Sequence, residues 1–347
     1  MISSAAEAIT YIIDNIEADT RWTKSKGPYV IVNDIIIKEG ATLNIEAGAR
    51  VLFSAETRIL IYGTIRALGT QNKKIDFEGK DKCVWNGFEF LRTCGQYDTL
   101  SKEGCVFDNC NFIGLGEAPA YLIRSRGCNV MVSNCKIVNC YTAIQSERQA
   151  HVYVINNNFR NCNRTINVRN TSMATIKNNR MISCNSVVLG GTTEFKGNTL
   201  KHFTGKGRHS GLVVWMLGGG VINISGNKFL KFEDYAIKLQ KMSRRSTLSI
   251  QNNIFKDNRV NLKLSCKETG RGILKIEQNN FLNFSEAQVQ LFTPCDENPK
   301  TATINIGKNY WGKLNLELLN IAIYDKSKDE KLNLKIIPEI MMDKPFK

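Results

Sequence analysis

The sequence is poor in proline and histidine and has no long apolar run, and each shortage excludes a class of protein. Its 347 residues include 6 Pro and 3 His, and no segment is rich in Pro, Gly and Ser. A flexible linker that divides the chain is therefore not expected. No apolar stretch approaches the ~20 residues that a transmembrane helix needs. No membrane span is predicted.

The first residues also lack the features of a secretory signal. The segment MISSAAEAITYIIDNIEADTRW carries acidic residues and has neither a basic start nor a clean apolar stretch. Two interpretations of the location stay open. The protein is cytoplasmic, or it is part of a longer chain that is extracellular or at the cell surface.

Acidic residues are fewer than basic residues. The net charge is +15 and the pI is near 9.3, which favours anionic partners such as acidic polysaccharide, nucleic acid or a membrane surface. A Lys-rich and Asn-rich composition that keeps the surface cationic explains the same charge. The charge alone does not separate these interpretations.

A short phrase rich in asparagine, such as VINNNFRNC at 154–162, recurs along the chain. Each phrase contains one large apolar residue, the anchor of its repeat, and successive anchors lie 19 to 30 residues apart. A period of this length, with variable insertions, is typical of solenoids. The anchors are Phe112, Ile137, Phe159, Met181, Leu200, Phe229, Phe255, Phe281 and Trp311.

Every repeat contains short β-branched runs and no helical periodicity. VYVI and TLSI precede anchors, whereas TINVR and YAIKLQ follow them. Strands of this kind, repeated every 20 to 30 residues, predict a parallel β-helix whose rungs stack about 4.8 Å apart. A leucine-rich repeat is excluded because each repeat is too short for a helix of its own and lacks the leucine pattern.

Asparagine also occupies one fixed position, two residues before the anchor. Stacked in register, these side chains would hydrogen-bond along a column, as amide ladders do in cross-β structures, and asparagine tolerates the left-handed backbone of a corner. The phrase is therefore interpreted as structural. The column contains Cys110, Cys135, Asn157, Asn179, Asn198, Asn227, Asn253, Asn279 and Asn309.

The eleven cysteines show no C-x-x-C pair, so neither a zinc site nor any other metal or cofactor is predicted. Cys140, Cys162 and Cys184 stand three residues after their anchors, where later repeats have Phe, and are interpreted as small buried apolar groups. The odd count favours free thiols and mildly favours a reducing compartment. Four cysteines outside the columns are left as candidates for pairing: Cys83, Cys94, Cys266 and Cys295.

The two ends of the chain resemble a known family. GATLNIEAGARVLF (40–53), LIYGTIRALGT (60–70) and WNGFEF (85–90) resemble the opening of right-handed parallel β-helix domains. Such domains occur in bacterial surface proteins and in bark beetle, a tricellular-junction protein. NYWGKLNLELLNIAIYDKSKDEKLNLKIIPEI (309–340) resembles their closure. The resemblance implies a β-helix and, since such domains serve adhesion, glycan binding and catalysis alike, leaves the function open.

The sequence therefore predicts an all-β protein, a single right-handed parallel β-helix of about eleven or twelve rungs. Residues 1–28 are expected to form an N-terminal cap that covers the open edge of the first rung. Residues 29–325 form the β-helix, and residues 326–347 form a closing tail.

The strand after each anchor predicts the binding face. Alternation places Ile144, Ile166, Ile237, Leu262 and Val289 inward, so that their neighbours face outward. These neighbours are amides and cations without a carboxylate. The candidate ligand-binding residues are Gln145, Asn167, Arg169, Lys238, Gln240, Asn261, Lys263, Gln288 and Gln290.

The sequence motifs give little support to a catalytic function. Glycoside hydrolysis needs two carboxylates at the scissile bond, and the Asn-Thr-Asp, Asp-Asp and Gly-His-Gly signatures of β-helix polygalacturonases are missing. Glu233 and Asp234 are adjacent acids that a solvated turn explains. The loop from His202 to His209 is rich in Gly and Lys and is the best loop for a binding hypothesis.

The leading hypothesis is a non-catalytic binding or adhesion module for an acidic polysaccharide or a protein surface. The alternative is a carbohydrate-active enzyme, either a polysaccharide lyase, a hydrolase or an epimerase, with a site that the motifs do not reveal. Nucleic-acid binding is disfavoured because no aromatic stacking platform alternates with the basic positions.

Overall fold

The computed structural model describes residues 9–114, 121–169, 171–202, 210–269, 271–292, 303–329, 332, 334–338 and 344–346. It is an all-β parallel solenoid of about ten turns with three long parallel sheets. The fold class predicted from the sequence is confirmed. The chain divides into two compact units, Met1–Thr165 and Ile166–Lys347.

In the first unit, strands are assigned to sheets A, B and C and numbered in chain order. Sheet A contains β1 (Thr10–Ile12), β3 (Tyr29–Ile31), β6 (Arg50–Phe53), β9 (Ile75–Gly79), β12 (Cys110–Ile113), β15 (Lys136–Val138) and β18 (Asn158–Arg160). Sheet B contains β4 (Ile35–Ile37), β7 (Ile59–Ile61), β10 (Phe88–Phe90), β13 (Tyr121–Arg126) and β16 (Thr142–Glu147). Sheet C contains β2 (Thr20–Trp22), β5 (Thr42–Glu46), β8 (Thr64–Leu68), β11 (Val106–Asp108), β14 (Val130–Ser133) and β17 (His151–Ile155). Two 3-10 turns cover Lys24–Lys26 and Lys80–Lys82.

The second unit begins within β19. Its sheet A strands are β21 (Arg180–Ile182), β24 (Thr199–Lys201), β27 (Lys228–Leu230), β30 (Ile254–Lys256) and β33 (Asn280–Phe281). Sheet B contains β19 (Arg164–Val168), β22 (Val187–Leu189), β25 (Leu212–Met216), β28 (Tyr235–Met242), β31 (Asn258–Ser265), β34 (Phe284–Phe292) and β36 (Ile323–Tyr324). Sheet C contains β20 (Met173–Lys177), β23 (Thr192–Lys196), β26 (Gly220–Ser225), β29 (Ser246–Gln251) and β32 (Ile273–Glu277). β35 (Thr303–Ile306) pairs with β37 (Lys335–Pro338), and the helices are α1 (Cys266–Thr269) and α2 (Leu316–Ala322).

Each rung runs from sheet C to sheet A and then to sheet B, as β14, β15 and β16 do. The corner between sheets C and A is one left-handed residue, because Asn134 has φ 53° and Asn156 has φ 57°. Asn252 (φ 55°) repeats this conformation in the second unit. Asparagine adopts it more readily than most side chains, which explains why most repeats place an Asn or Gly directly before the ladder position, although Gln278 precedes Asn279 and Lys308 precedes Asn309.

The anchors form the core beneath sheet A. All nine are buried, with exposed fractions of 3% or less. In the second unit the rings of Phe255 and Phe281 stack at 4.8 Å, and those of Phe281 and Trp311 stack at 4.6 Å. Offset stacking of this kind adds about 0.5–1.5 kcal/mol to the burial of each pair.

The asparagine ladder predicted from the sequence is confirmed in the second unit. The backbone N–H and side-chain Nδ2 of Asn227 both donate to Oδ1 of Asn253, at 2.9 Å each. Asn253 donates in the same way to Asn279, and its Nδ2 also donates to the carbonyl of Ile224 at 2.8 Å. Each amide thus satisfies a buried backbone N–H of the rung before it and a backbone carbonyl of that rung.

In the first unit, cysteine stands in the same column. The Cys110 N–H donates to Cys135 Sγ at 3.4 Å, whereas the Cys135 N–H donates to Asn157 Oδ1 at 2.9 Å. Sulfur is a weak acceptor, so this part of the column is held less firmly than an amide ladder.

Some of the other cysteines have the bonding state predicted from the sequence, and others do not. Cys140, Cys162 and Cys184 are buried free thiols, as expected from their column. Cys94, one of the four candidates for pairing, forms a disulfide with Cys128, which was not among them. Of the other candidates, Cys266 is disulfide-bonded and Cys83 is a free thiol. Disulfide bonds persist in oxidising environments, which removes the support that the odd count gave to a reducing compartment. Cys295 lies outside the described residues.

The strands at the two ends of the chain do not determine the predicted domain limits. β1 lies within the predicted cap and pairs in register with β3, and β2 pairs with β5. The limits at residues 28 and 325 stay a prediction. Within the described residues no helix is long enough to cross a bilayer, since the longest, α2, has 7 residues.

Replacing one amide of the ladder should destabilise the second unit. In Asn253→Ala the buried Asn227 N–H loses its acceptor and the Ile224 carbonyl loses a donor, which should cost about 3 kcal/mol. Denaturant unfolding followed by circular dichroism measures the loss. Asn283→Ala is the control, because the side chain of Asn283 is exposed and donates its hydrogen bond to the exposed side chain of Asp257. Equal stability of both variants would show that the ladder does not stabilise the fold.

Candidate functional site

Three of the nine predicted residues form one row on sheet B of the second unit. Lys238 on β28 pairs in register with Lys263 on β31, which pairs with Gln290 on β34. Parallel in-register pairing places like positions directly over one another, about 4.8 Å apart. The two ammonium groups are therefore neighbours on the same surface. All three side chains are half-buried.

Aromatic rings accompany the two lysines. Lys238 Nζ lies 4.6 Å from the centre of the Phe292 ring and 5.7 Å from that of Tyr235. Lys263 Nζ lies 5.7 Å from the Phe292 ring. Rings attract cations through their negative faces, which offsets part of the repulsion between the ammonium groups. We call these residues (Tyr235, Lys238, Lys263, Gln290 and Phe292) the lysine–aromatic face.

The surroundings of Lys238 disfavour its charge. Burial lowers the pKa of its ammonium group, and the charge of Lys263 lowers it further, whereas Asp234 acts in the opposite direction. Neither lysine forms an ion pair within the part of the chain that the structure describes. An anion that lies between the two ammonium groups would supply the missing negative charge.

Four of the nine predicted face residues are buried: Gln145, Asn167, Asn261 and Gln288. Asn261 and Gln288 are fully buried, and Asn261 Nδ2 donates to Gln288 Oε1. Asn258 Nδ2 donates to Asn261 Oδ1 at 2.8 Å, so the three amides form one buried chain. The prediction of outward orientation is wrong here, because two successive residues, Asn261 and Leu262, are both buried just after the pairing register of β31 shifts between Asn258 and Val260.

Asn167, Arg169 and Gln240 lie elsewhere in sheet B of the second unit. Asn167 pairs in register with Val188 and is buried, with 7% of its surface exposed. Arg169 is exposed just beyond the end of β19, and Gln240 is half-buried two residues beyond Lys238. Ligand binding by any of the nine residues stays a prediction.

Gln145 lies in the first unit, inside a cluster of charges. Its Nε2 donates to Glu147 at 3.3 Å, and only 1% of its surface is exposed. Arg124, Arg126, Glu89 and Glu147 lie on the same face of sheet B, because β13 pairs in register with both β10 and β16. The sequence interpretation that this face has no carboxylate is therefore wrong for the first unit.

Alternating charges connect the strands of this cluster. Arg126 contacts Glu89 at 2.8 Å and Glu147 at 3.4 Å, and Arg124 contacts Glu147 at 2.8 Å. Arg58 extends the network by binding Glu89 at 3.3 Å and Asp34 at 2.9 Å. Three guanidinium groups thus balance three carboxylates. We call the six residues (Asp34, Arg58, Glu89, Arg124, Arg126 and Glu147) the arginine–glutamate cluster.

The remaining sequence candidates are not brought together into a catalytic site. Asp234 accepts a hydrogen bond from Ser210 Oγ at 3.2 Å, and Glu233 is half-buried beside it. His202 is buried, with 3% of its surface exposed. Most of the predicted binding loop, including His209, lies outside the described residues.

The sequence reasoning missed Phe292, Tyr235 and the arginine–glutamate cluster. Phe292 stands two residues after Gln290, so the alternation that selected Gln290 also selects Phe292. Glu147 stands two residues after Gln145 and was available by the same rule. Glu89 and Arg124 lie on strands that precede those aligned by the repeat, and no periodic signal reaches them.

Residues 84–209 match the family described as Right handed beta helix region. The resemblance to that family is therefore confirmed over this part of the chain. The finer resemblance to bark beetle and the adhesion role attached to it receive no support from the match. No curated protein matches the chain.

Two solved structures are similar to the chain. The Dettilon tailspike protein shares 13% identity with a TM-score of 0.32, over 88% of this chain and 61% of its own. A mannuronic acid specific polysaccharide family 6 lyase from human gut microbiota shares 12% identity with a TM-score of 0.29, over 95% of this chain and 87% of its own. We draw no inference about activity from either likeness.

Removing the shared carboxylate of the cluster should destabilise the first unit. Glu89 has a side chain that is 10% exposed and contacts Arg58, Arg126 and, at 3.7 Å, Arg124. Glu89→Gln leaves these guanidinium groups without a shared counter-charge, at a cost of about 3 kcal/mol. The midpoint of denaturant unfolding measures the cost.

Glu17→Gln provides the control, because Glu17 pairs with Lys38 at a site where both side chains are at least half exposed. We expect that variant to change stability by less than ~0.5 kcal/mol. A Glu89→Gln variant as stable as the control would mean that the cluster is not structural.

Proposed function

We propose that the protein is a non-catalytic binding module for an acidic polysaccharide, and that the lysine–aromatic face is its binding surface. One observation carries the proposal: Lys238 and Lys263 lie on adjacent rungs, share the Phe292 ring and have no ion pair among the described residues. Two adjacent cations without a counter-ion are electrostatically unfavourable alone. A bound polyanion removes this repulsion, and the free energy gained contributes to its affinity.

The chemistry of the face suits a polymer of acidic sugars. Lys238 and Lys263 would bind carboxylate or sulfate groups, and the Gln290 and Gln240 amides would exchange hydrogen bonds with hydroxyl groups. Phe292 supplies half-buried apolar surface beside these polar groups, as sugar rings require, whereas Tyr235 is buried and packs behind Lys238. A protein partner with an acidic surface would meet the same charges but would not need the amides at rung spacing.

The surroundings of the face favour binding over hydrolysis. Hydrolysis needs two carboxylates that flank the glycosidic bond. The two acids beside the face are both engaged in the described structure, since Asp234 accepts from Ser210 Oγ and Glu286 pairs with Arg259 and accepts from Gln290 Nε2. The face therefore offers cations and amides without an acid–base pair.

A carbohydrate-active enzyme is the second candidate, and one observation favours it. Glu89 and Glu147 are two carboxylates on one face of sheet B, and both contact Arg126. The charge balance of the cluster argues against catalysis, because each carboxylate already binds guanidinium groups. If a polymer is degraded, Glu89 and Glu147 are the first residues to replace.

Neutralising the two lysines should abolish retention by acidic polymers. The purified chain is run through gels cast with acidic or neutral polysaccharides, and the gels are then stained for the polymer. We expect retardation in acidic gels only, without clearing, and at least a tenfold weaker retention for the Lys238→Gln/Lys263→Gln variant, the loss of two charge-assisted contacts of about 1 kcal/mol each.

The matched control is Lys228→Gln/Lys275→Gln, which removes the same charge from exposed lysines on sheets A and C. An equal loss of retention in both variants would mean that binding depends on net charge alone. That result would contradict the assignment of the lysine–aromatic face as the binding surface. Clearing beneath the band would contradict the non-catalytic proposal. Wild-type protein that no polysaccharide gel retards would favour a protein partner instead.

Retention should also weaken in alkaline buffer because of Lys238. Its pKa lies below the usual value of 10.5, so the ammonium group loses its proton as the pH rises through that lowered value, before an ordinary lysine does. Arginine keeps its charge throughout this range. We expect Lys238→Arg to retain the polymer at an alkaline pH at which wild-type retention has fallen, whereas Lys228→Arg should follow wild type.

A further inference from the structure

Three cysteines of the first unit converge in the core. The Sγ atoms of Cys94, Cys105 and Cys128 all lie within 4.8 Å of one another. All three residues are buried, with exposed fractions of 3% or less. Within the described residues, no other group of three His, Cys, Asp or Glu side chains converges in this way.

Only two of the three sulfur atoms are needed for the disulfide. Cys94 is bonded to Cys128, and Cys105 is a free thiol whose Sγ lies 3.8 Å from the Gly63 carbonyl. A lone buried cysteine is ordinarily a small apolar group. Here its sulfur stands beside two others, so reduction of the disulfide would create a cluster of three thiols in one buried place.

Backbone hydrogen bonds hold the three positions independently of the disulfide. The Cys105 N–H donates to the Gly95 carbonyl, and the Gly95 N–H donates to the Gly63 carbonyl, at 2.9 Å each. Beside Cys128, the Asn129 N–H donates to Gln96 Oε1 at 2.6 Å and the Asn129 carbonyl accepts from the Tyr97 N–H. The cluster should therefore keep its geometry when the disulfide is reduced.

The donor set selects the metal. Thiolates are soft ligands that favour Cu(I), Zn(II) and iron–sulfur clusters. Structural zinc almost always has four protein ligands, with Zn–S distances near 2.3 Å, and the cluster has three. A metal at that distance from every sulfur keeps the sulfur atoms within about 4.6 Å of one another, close to the spacing already present. Cu(I) accepts three thiolates in a plane.

We propose that Cys94, Cys105 and Cys128 form a buried three-thiolate site for Cu(I) in the reduced protein, and that the Cys94–Cys128 disulfide closes this site in the oxidised protein. A thiol reductant opens the site, because two RSH molecules convert the disulfide into two Cys–SH groups and leave as RS–SR. Cu(I) then displaces three protons and binds three thiolates, with a net charge of −2.

The surroundings fit that reaction. Burial raises the pKa of the Cys105 thiol to about 12, whereas the Ile65 backbone and the positive charge of Arg66 act in the opposite direction. Cys105 is thus an unreactive thiol without the metal, and metal binding must release its proton. Arg66 supplies positive charge next to an anionic metal site.

The test uses the full chain, reduced with a phosphine and kept without oxygen, and titrated with Cu(I) against bicinchoninate as a competing chelator. We expect one tightly bound Cu(I) with three sulfur ligands in X-ray absorption, and the release of about three protons at neutral pH. Oxidised wild-type protein should lack this tight site.

Cys105→Ser should weaken Cu(I) binding at least about 100-fold, because the loss of a ligand exceeds the loss of an outer-shell partner. Cys140→Ser is the control, a buried free thiol of the same unit. Unchanged affinity in Cys105→Ser, equal affinity in the oxidised protein, two sulfur ligands in the wild type, or preferential uptake of Zn(II) would each overturn the proposal. The absorption measurement on the wild type decides the matter even if Cys105→Ser does not fold.

Discussion

Parallel, in-register stacking is the constraint on which the rest of the structure depends. Each rung places like residues over like residues, so every position of the repeat becomes a column. A column is stable only if each side chain can pack against, or hydrogen-bond with, a side chain of the same type on the next rung. Aromatic anchors stack, and asparagine amides donate and accept along the same line, as Asn227, Asn253 and Asn279 do. The composition of the repeat follows from that requirement.

The same constraint acts on the surface, where it produces chemistry. Like charges in one column repel each other, and the two units show two ways of managing this. In the first unit, Glu89 lies opposite Arg124 and Arg126 lies opposite Glu147, and Arg126 contacts both carboxylates. In the second unit, Lys238 lies beside Lys263, and aromatic rings and the charge of Asp234 moderate the repulsion. The unbalanced column is the one that we assign to binding.

Periodicity made some of these features predictable and left others out of reach. The anchors and the ladder repeat with the rung, so their positions follow from the sequence. Strict alternation does not contain the register shift between Asn258 and Val260, beside which Asn261 and Gln288 are buried. The register shift between Val214 and Trp215 likewise moves Trp215 opposite Lys241. Cys128 and Glu89 belong to no aligned column, so neither the disulfide nor the arginine–glutamate cluster had a periodic signal.

The ladder also sets how a chain of this kind can change in length. Asn253 joins the rung before it, through the Ile224 carbonyl, to the rung after it, through Asn279. An insertion of a few residues within a corner would interrupt that chain of amides. Duplication or deletion of one whole repeat would leave every remaining amide with an equivalent neighbour on each side. Evolution by whole repeats is therefore the route that this interior permits, and smaller insertions are confined to the connections between strands.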